Sequence, residues 1–431
     1  GSVVKCSHRG GNVAGVPSTL YALCMTLRRI LHADADAFFV AVARMADPEG
    51  AGRAPLLIVG GRPGGRGVVC SASYETRAYG VRSAMPISQA LRLCPDAMCV
   101  PVPRGACSAA SKAIAHVLRR YTPVVEGASI DEWYLDLSGT EALHGHETLE
   151  ATAQRIRQSV QRETGMWLSL GGGTSKLIAK LAAERAKPRP GTDATGVRVI
   201  EPGDEAAFMR TLTLAEIPGI GPKLQARLKT LGLVRVEDVL PHERATLARW
   251  LGRRPAEWLW ARVRGIHTAP VEPRGTARQI SRESTFARDV VEDRQLSAHL
   301  RALVAKAGAE LRSERLAARS VTVKLRDADF TTRLASKTAP EPLESDRAIG
   351  DLAVQLLAKL RTARRVPARL VGVALGGLGA ARDAEQLGLF GQAGVVERPE
   401  DRALSRAVDR VRERFGDGAI RAASTPASRR P

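Results

Sequence analysis

The stretch Ile30-Leu-His-Ala-Asp-Ala-Asp-Ala-Phe-Phe39 decides how the N-terminal part of this chain folds. The apolar run over residues 29–34 predicts a short strand. Asp36 is placed to cap a helix that continues through residues 37–42. The pattern therefore predicts a strand that ends on a carboxylate, Asp34, and passes almost at once into a helix.

A second acidic stretch, Ala128-Ser-Ile-Asp-Glu-Trp-Tyr-Leu-Asp136, lies about a hundred residues further on. Strand-like runs flank its acidic pair, Asp131 and Glu132. Neighbouring residues on a strand point to opposite faces, so these two can share a metal site only where a turn or bulge rotates one of them. Taken alone, any single acid in such a sequence is usually an ordinary solvated side chain.

The remaining pattern indicates the fold class. Strands and helices alternate unevenly up to about residue 187, which predicts an α+β core with a mostly antiparallel sheet. Helical patterning follows to about residue 265, and residues 268–277 form a Pro/Arg/Gly-rich stretch typical of a linker. Beyond it, two helices over residues 295–314 and 346–362 are each followed by a strand-like run.

Size and charge narrow the class of partner. With 431 residues the chain is too long for one core and is expected to form several domains. Its net charge of +20 and isoelectric point near 10.4 favour binding to polyanions, with nucleic acid first among them. A basic protein rich in arginine for genomic reasons alone would show the same charge.

Cysteine usage and hydropathy suggest a compartment. The six cysteines form no CxxC pair and lie near no histidine cluster at zinc spacing, so reduced thiols in the cytoplasm are expected. No apolar run approaches the roughly 20 residues that span a bilayer. Residues 1–24 lack the layout of a secretion signal, and Met25 is the expected natural start.

Four ordered motifs carry a family resemblance. Two of them are the acidic stretches described above. A third, Ser73-Tyr-Glu-Thr-Arg-Ala-Tyr-Gly-Val81, lies between these stretches in the sequence. The fourth follows them and comprises Gly173-Thr-Ser-Lys-Leu-Ile-Ala-Lys-Leu-Ala182 with Ala186-Lys-Pro188. Together they resemble the Y-family, or translesion, DNA polymerases from about Met25 to Gly377, most closely the DinB-like branch. The departures lie in the opening helix, where Val42-Ala43-Arg44 replaces a run that usually holds a glutamate, and at Ala37.

The resemblance implies a two-metal active site for phosphoryl transfer. Asp34 and Asp131 would bridge two Mg²⁺ ions, with Mn²⁺ as a substitute. Glu132 would bind the catalytic ion, and the backbone carbonyl of Ala35 would complete the nucleotide-side site. Phosphoryl transfer needs such hard oxygen ligands to converge from separate segments.

The same resemblance implies how the deoxynucleoside triphosphate is held. Tyr74 and Arg77 would contact the triphosphate, Ser71 would donate a hydroxyl, and Lys180 would reach the phosphates. Phe39 occupies the steric-gate position, where a ring beneath the sugar would clash with a ribose 2′-hydroxyl.

Two segments are expected to hold primer–template DNA. Ile217-Pro-Gly-Ile-Gly-Pro-Lys223 resembles a helix-hairpin-helix, with Gly219, Gly221 and Lys223 as phosphate contacts. The segment from Arg278 to Asp289 resembles the start of the little finger, with Arg278 and Arg282 as contacts. Gly171-Gly-Gly-Thr-Ser-Lys176 lacks the residue order of a phosphate-binding P-loop, which argues against an ATPase.

Near the end, Gln386-Leu-Gly-Leu-Phe390 matches the pentapeptide by which many bacterial polymerases dock on a DNA sliding clamp. Gln386, Leu387, Leu389 and Phe390 would be the contacts, in a tail whose composition leaves it free to bind.

The resemblance also implies a multidomain, right-hand polymerase. Its expected parts, by residue number, are a disordered extension (1–25), the palm (26–37 and 103–187), the fingers (38–102), a helical thumb (188–265), a linker (266–277), an α/β little finger (278–378) and a tail (379–431).

The expected activity is low-fidelity, template-directed DNA synthesis past damaged bases, without a proofreading exonuclease. The protein is expected to be a monomer. A noncatalytic, clamp-binding scaffold of a mutagenesis complex is the alternative, and retention of Asp34, Asp131 and Glu132 argues against it. A two-metal nuclease is a third reading, which would leave the triphosphate contacts without a purpose.

Overall fold

A computed structural model describes residues 28–188, 194–273, 275–381, 397–416 and 418–420. The chain divides into two compact units, Gly1–Gly275 and Thr276–Pro431. The predicted clamp-binding residues, 386–390, lie outside the described residues. Among the helices that are described, none is long and apolar enough to cross a membrane.

The first unit combines short strands with helices. Its strands are β1 (Ile30–Ala35), β2 (Leu57–Gly60), β3 (Val69–Ala72), β4 (Met98–Pro101), β5 (Val125–Gly127), β6 (Glu132–Asp136), β7 (Leu168–Gly173) and β8 (Val197–Val199). Its helices are α1 (Phe38–Ala46), α2 (Tyr74–Ala78), α3 (Ile87–Leu93), α4 (Arg104–Leu118), α5 (Leu149–Thr164), α6 (Lys176–Ala186), α7 (Glu205–Arg210), α8 (Pro222–Thr230), α9 (Val236–Val239), α10 (Arg244–Leu251) and α11 (Arg253–Val263).

A five-stranded central sheet organises this unit, in the order β5-β6-β1-β7-β8. β1 is antiparallel to both β6 and β7, and β5 is antiparallel to β6, whereas β7 and β8 are parallel. The predicted α+β fold with a mostly antiparallel sheet is therefore confirmed.

Alternation along β1 gives the sheet two different faces. Leu31, Ala33 and Ala35 are buried in a core shared with α1, α4 and α5. The intervening His32 and Asp34 point to the other face, where α6 packs against β7 and β1. The acidic end of β1 thus lies beside α6.

A smaller sheet, in the order β3-β2-β4, lies between α1 and α4 in the sequence. Its apolar core includes Ile58, Val69 and Ile87. Ser73 caps α2, since its hydroxyl accepts a hydrogen bond from the Thr76 amide at 3.3 Å. This cap sets the direction of the helix that carries Tyr74 and Arg77.

Part of the predicted linker lies against the central sheet. Val271 is buried beside Ile30, Tyr134 and Ala179. Glu126 accepts hydrogen bonds from Lys176 Nζ at 2.6 Å and from the Glu272 amide at 2.9 Å. The stretch up to residue 272 is therefore held by the first unit.

The second unit is a four-stranded sheet covered on one face by helices. Its elements are β9 (Gln279–Val290), α12 (Asp293–Ser313), β10 (Leu316–Asp327), β11 (Thr332–Leu343), α13 (Asp346–Ala363), β12 (Ala368–Ala380) and α14 (Pro399–Phe415). The strand order β11-β10-β12-β9 is antiparallel throughout. Apolar stripes of α12 and α13 pack on one face and leave the other open.

Helix α14 is fastened to α12 and α13 by ion pairs. Arg312, whose side chain is 5% exposed, lies 2.8 Å from Asp346 Oδ1 and 2.5 Å from Asp409 Oδ2. Glu397, just before α14, accepts a hydrogen bond from the Glu344 amide at 2.8 Å. Because the Arg312 charge is almost fully buried, losing a carboxylate partner would leave it poorly compensated, so these contacts hold the helix in place.

Candidate active site

Two of the predicted carboxylates face each other across neighbouring strands. Asp34 on β1 is directly opposite Glu132 on β6, one position from the buried pair Ala33 and Trp133. Directly opposed residues of an antiparallel pair have their Cβ atoms about 5 Å apart on the same face. The strand register therefore brings Asp34 and Glu132 together.

Asp131 lies in the turn that joins β5 to β6. The amide of Ala35 donates to the Asp131 carbonyl at 2.9 Å, which ties this turn to the end of β1. The Asp131 carboxylate accepts a hydrogen bond from the Ser129 hydroxyl. Because Asp131 precedes the strand, it is freed from the alternation that would send it to the face opposite Glu132.

Two lysines hold the opposed carboxylates. Lys180 Nζ, from α6, lies 2.7 Å from both carboxylate oxygens of Glu132. Lys187 Nζ lies 2.9 Å from Asp34 Oδ2 and 2.7 Å from Glu184 Oε2. Sequence reasoning noticed the Ala186-Lys-Pro motif but gave Lys187 no role, and that Lys-Pro pair after a helix was the available signal.

Burial and neighbouring charges shift the pKa values of these groups in different directions. Burial raises the pKa of Asp34 to about 6, even though Lys187 favours its charged form. His32, whose Nε2 lies 3.7 Å from Glu132 Oε2, and Lys180 lower the pKa of Glu132 to about 2 against the effect of partial burial. Burial opposes the charge of Lys187, but Asp34 and Glu184 outweigh it and raise the Lys187 pKa.

The donor set suits a hard divalent cation. Asp34, Asp131 and Glu132 offer carboxylate oxygens from two strands and a turn, and oxygen is the ligand that Mg²⁺ prefers. In the part of the chain that the structure describes, no three metal-ligating side chains lie close enough together to hold an ion. Ammonium groups neutralise two of the acids instead, so a bound cation would have to replace lysine contacts.

A glycine allows α6 to bring Lys180 this close. A Cβ atom on Gly171, in β7, would lie 2.0 Å from the Ala183 amide nitrogen and 2.1 Å from the Ala179 carbonyl oxygen. Both atoms belong to the α6 backbone, which cannot move aside as a flexible side chain could. Only glycine therefore permits this helix-to-strand contact.

Three predicted nucleotide-binding residues form one cluster. Arg77 donates to the Ala72 carbonyl at 2.9 Å and to the Ser71 hydroxyl at 3.4 Å, and its guanidinium lies 5.0 Å from the Tyr74 ring centroid. Burial raises the pKa of Tyr74, and the charges of Asp36 and Asp34 add to the shift. Tyr74 and Asp36 line one cavity, which places this cluster beside the end of β1.

Phe39 and Phe38 point in different directions from α1. Phe38 is buried in the main core, whereas Phe39 is only half-buried. Their rings meet edge to face, with centroids 5.4 Å apart. Phe38 is thus a packing residue, whereas Phe39 packs against the same core but keeps part of its side chain exposed.

The expectation that Asp36 caps α1 is wrong. The N-cap residue is Ala37, in the left-handed region at φ 46°, and no side chain caps this helix. Asp36 Oδ1 instead accepts a hydrogen bond from the buried Ser169 hydroxyl at 2.7 Å. The nearby strand β7 offers a closer donor than the helix terminus.

The predicted hairpin lies before α8, with its glycines Gly219 and Gly221 exposed and its isoleucines Ile217 and Ile220 buried. Gly219 has φ 100°, a left-handed conformation that favours glycine, and Gly221 precedes the first turn of α8. A Cβ atom on Gly219 would lie 2.7 Å from the Trp258 ring of α11. Trp258, which sequence reasoning missed, therefore supports this hairpin. Lys223 is exposed on the first turn of α8.

Comparison with known proteins places the chain in a family. The impB/mucB/samB family matches residues 33–184, its C-terminal domain matches residues 277–389, and its HHH motif matches residues 202–233. DNA polymerase IV of Halorhodospira halophila is 38% identical, over 82% of this chain and 96% of that protein. DNA polymerase IV of Xanthomonas axonopodis pv. citri is 36% identical, over 86% of this chain and all of that protein.

Solved structures similar to this chain indicate the same family. A Y-family DNA polymerase chimera of Dbh and Dpo4 has a TM-score of 0.72 at 25% identity, covering 82% of this chain and 99% of that one. DinB from Sulfolobus solfataricus has a TM-score of 0.55 at 26% identity, covering 81% and 98%. The chain belongs to the DinB-like Y-family DNA polymerases. The predicted family membership is confirmed, and with it the class of enzyme, a DNA-directed DNA polymerase.

In this Y-family polymerase, two further predicted contacts lie in the second unit. Arg278 is exposed just before β9. Arg282 is opposite the buried Val373 in the sheet register, and its guanidinium pairs with Glu310 of α12. Arg282 therefore belongs to the helix-covered face. Lys324, which pairs with Glu283 at 2.7 Å, and Arg326 point to the open face and were missed by sequence reasoning.

Proposed function

We propose that this polymerase adds deoxynucleotides to a primer 3′ end by two-metal phosphoryl transfer. The observation that carries the proposal is the opposition of Asp34 and Glu132 across β1 and β6, with Asp131 in the adjoining turn. In the same unit, the cluster of Ser71, Tyr74 and Arg77 supplies hydroxyl and guanidinium groups suited to a triphosphate.

Asp34, Asp131, Glu132 and the Ala35 carbonyl would hold two Mg²⁺ ions, with Mn²⁺ as a substitute. When bound, such ions supply Lewis acidity at the primer hydroxyl and at the leaving pyrophosphate. Lys180 and Lys187 would give up their carboxylates as the metals bind. Their freed ammonium groups, with the Arg77 guanidinium, would then neutralise the triphosphate as charge develops on it, and the Tyr74 hydroxyl would donate a hydrogen bond to it.

Primer–template DNA would be held without regard to sequence. The exposed hairpin at Gly219 and Gly221 leads into a helix N-terminus, where free amide groups and Lys223 suit a phosphate. In the second unit, Arg278, Lys324 and Arg326 supply further cations. Arg282 would join them only after leaving Glu310.

Several further properties of the enzyme are proposed from its sequence motifs alone. We propose that synthesis is of low fidelity, passes damaged bases and lacks proofreading, and that Phe39 excludes ribonucleotides. Gln386, Leu387, Leu389 and Phe390 are proposed to dock on a sliding clamp, with the protein acting as a monomer in the cytoplasm.

Primer extension tests the main proposal. The intact protein, given a primed template, four deoxynucleotides and Mg²⁺, should lengthen the primer in the order that the template specifies, and a chelator should stop it. DNA binding without extension under either Mg²⁺ or Mn²⁺ would instead favour the noncatalytic scaffold.

At limiting Mg²⁺, nucleotide insertion is expected to slow as the pH falls through about 6. Below that pH a proton occupies Asp34 in the metal-free protein, and metal binding must release it. Because the folded-state pKa is raised from 3.8, protonation of Asp34 stabilises the metal-free fold at low pH, and that stability is lost as the pH rises through about 6.

The measurement is the insertion rate from roughly pH 5 to pH 8 at limiting and at saturating Mg²⁺. Saturating metal should displace the proton and move the loss to lower pH. A loss that occurs at the same pH under both conditions would assign the titration to another group.

Gly219→Ala is expected to weaken binding to primed DNA about tenfold. Alanine at φ 100° costs about 1–2 kcal/mol, and its Cβ would press on Trp258 at 2.7 Å. Gly105→Ala, in the first turn of α4, is the control, because Gly105 is exposed, is not a proposed DNA contact, and has no atom within 4 Å of the added Cβ. Fluorescence anisotropy gives the affinity and thermal melting gives the stability. Full affinity in the Gly219 variant would remove the hairpin from the DNA interface.

A further inference from the structure

His32 is a buried polar residue without a hydrogen-bond partner. Its side chain is 1% exposed, and among the described residues neither Nδ1 nor Nε2 has a hydrogen-bond partner. A buried polar nitrogen that has lost water and gained no partner is costly, so its presence in a native fold requires an explanation. A functional state in which the ring gains a partner would provide one.

The sheet register shows which partner is available. His32 is opposite Tyr134, two residues along β1 from Asp34, which is opposite Glu132. All four side chains share one face of the sheet, where diagonal neighbours lie within reach of a ring. His32 Nε2 is 3.7 Å from Glu132 Oε2, about half an ångström beyond an ordinary hydrogen bond.

The ring is held in this orientation by its surroundings. Its centroid lies 4.6 Å from that of the Tyr134 ring, at an interplanar angle of 57°. Glu132, by contrast, has both oxygens bound by Lys180 at 2.7 Å. Closing the 3.7 Å separation therefore falls to the Glu132 carboxylate, which has to turn away from Lys180 to reach His32.

We propose that His32 is a positioning residue, which donates a hydrogen bond from Nε2–H to Glu132 Oε2 when that carboxylate leaves Lys180 to bind metal. The inference rests on the proposed role of Glu132 as a ligand. A carboxylate released by Lys180 has one oxygen for the metal and one that needs a donor. Hydrogen bonds of this kind orient metal ligands and are worth about 10–100-fold in metal affinity or activity.

Two variants separate the hydrogen bond from packing. His32→Phe keeps an aromatic ring against Tyr134 but removes the donor. His32→Gln places an amide N–H near the position of the imidazole Nε2–H. For each, we would measure kcat and KM for single-nucleotide insertion, Mn²⁺ binding by electron paramagnetic resonance, DNA affinity and thermal stability.

His32→Phe should lower kcat and Mn²⁺ affinity about tenfold without changing DNA affinity, and His32→Gln should restore both to within about threefold. Equal losses in both variants that follow thermal stability would overturn the proposal in favour of a packing role. Unchanged kcat and Mn²⁺ affinity in His32→Phe would also overturn it.

The unmodified protein gives an independent measurement. With ¹⁵N-labelled histidine, addition of Mg²⁺ to the protein–DNA complex should shift the His32 Nε2–H resonance in the direction of a stronger hydrogen bond, and no shift would contradict the proposal. Primer extension by the unmodified protein distinguishes failure of this inference from failure of the polymerase assignment. If that protein neither binds Mn²⁺ nor extends a primer, both are wrong.

Discussion

Replacing Glu132 with glutamine is expected to lower the rate of single-nucleotide insertion by about 10³-fold. The amide keeps the size of the side chain but removes the negative charge that a divalent cation requires. It also leaves Lys180, now 2.7 Å from both oxygens, with an uncompensated ammonium group beside the metal site. Quench-flow measurement of one insertion event gives the rate directly.

Asp136→Asn is the matched control for this variant. Asp136 lies at the other end of the same strand, where its Oδ1 accepts a hydrogen bond from the Ser138 amide at 2.9 Å. The control should insert nucleotides at nearly the parental rate, and both variants should bind primed DNA normally. If Glu132→Gln keeps more than about a tenth of the parental rate, Glu132 is not an essential metal ligand.

Phe39→Ala is expected to raise ribonucleotide insertion, relative to deoxynucleotide insertion, by about 10²-fold. The half-buried Phe39 ring is proposed to lie beneath the sugar of the incoming nucleotide, where it would clash with a 2′-hydroxyl. Exclusion of this kind is a repulsive contact, so removing the ring should relieve it. The ratio of kcat/KM for the two sugars is the measurement.

Phe38→Leu tests whether sugar selection depends on the Phe39 ring itself or on the helix α1 that carries both phenylalanines. Phe38 is buried in the main core, so this change should lower stability by about 1 kcal/mol and leave sugar selection intact. A loss of sugar selection in Phe38→Leu equal to that in Phe39→Ala would show that the helix, rather than the Phe39 ring, sets the selectivity.

Local patterning accounts for the features that could be predicted. β1, β6 and the long helices α12 and α13 each bury one periodic apolar face, and periodicity is visible in the sequence. The edge strand β11 was not predicted from the sequence. It contains Pro340 and Pro342, and proline within a run of residues normally argues against a strand, although the edge of a sheet tolerates it.

The candidate site shows the same division. The acids Asp34, Asp131 and Glu132 were predicted because motifs name residue types in order along the chain. The lysine partners of Asp34 and Glu132 were not predicted, because Lys187 and Lys180 lie far from these acids in the sequence. The contact of Ser169 with Asp36 likewise joins residues more than a hundred positions apart. The direction of Arg282 likewise depends on Glu310 of a helix packed later against the sheet.

The sequence by itself determined the family, the order of the chemical groups and the alternation that puts Asp34 and His32 on one face of β1. Tertiary structure decided which groups meet: Asp34 with Glu132 through strand register, and Glu132 with Lys180 through the close approach of α6 at Gly171. It also left both ring nitrogens of His32 without a hydrogen-bond partner among the described residues. Periodicity is a property of neighbouring residues, whereas these contacts depend on how distant segments pack, which no local pattern encodes.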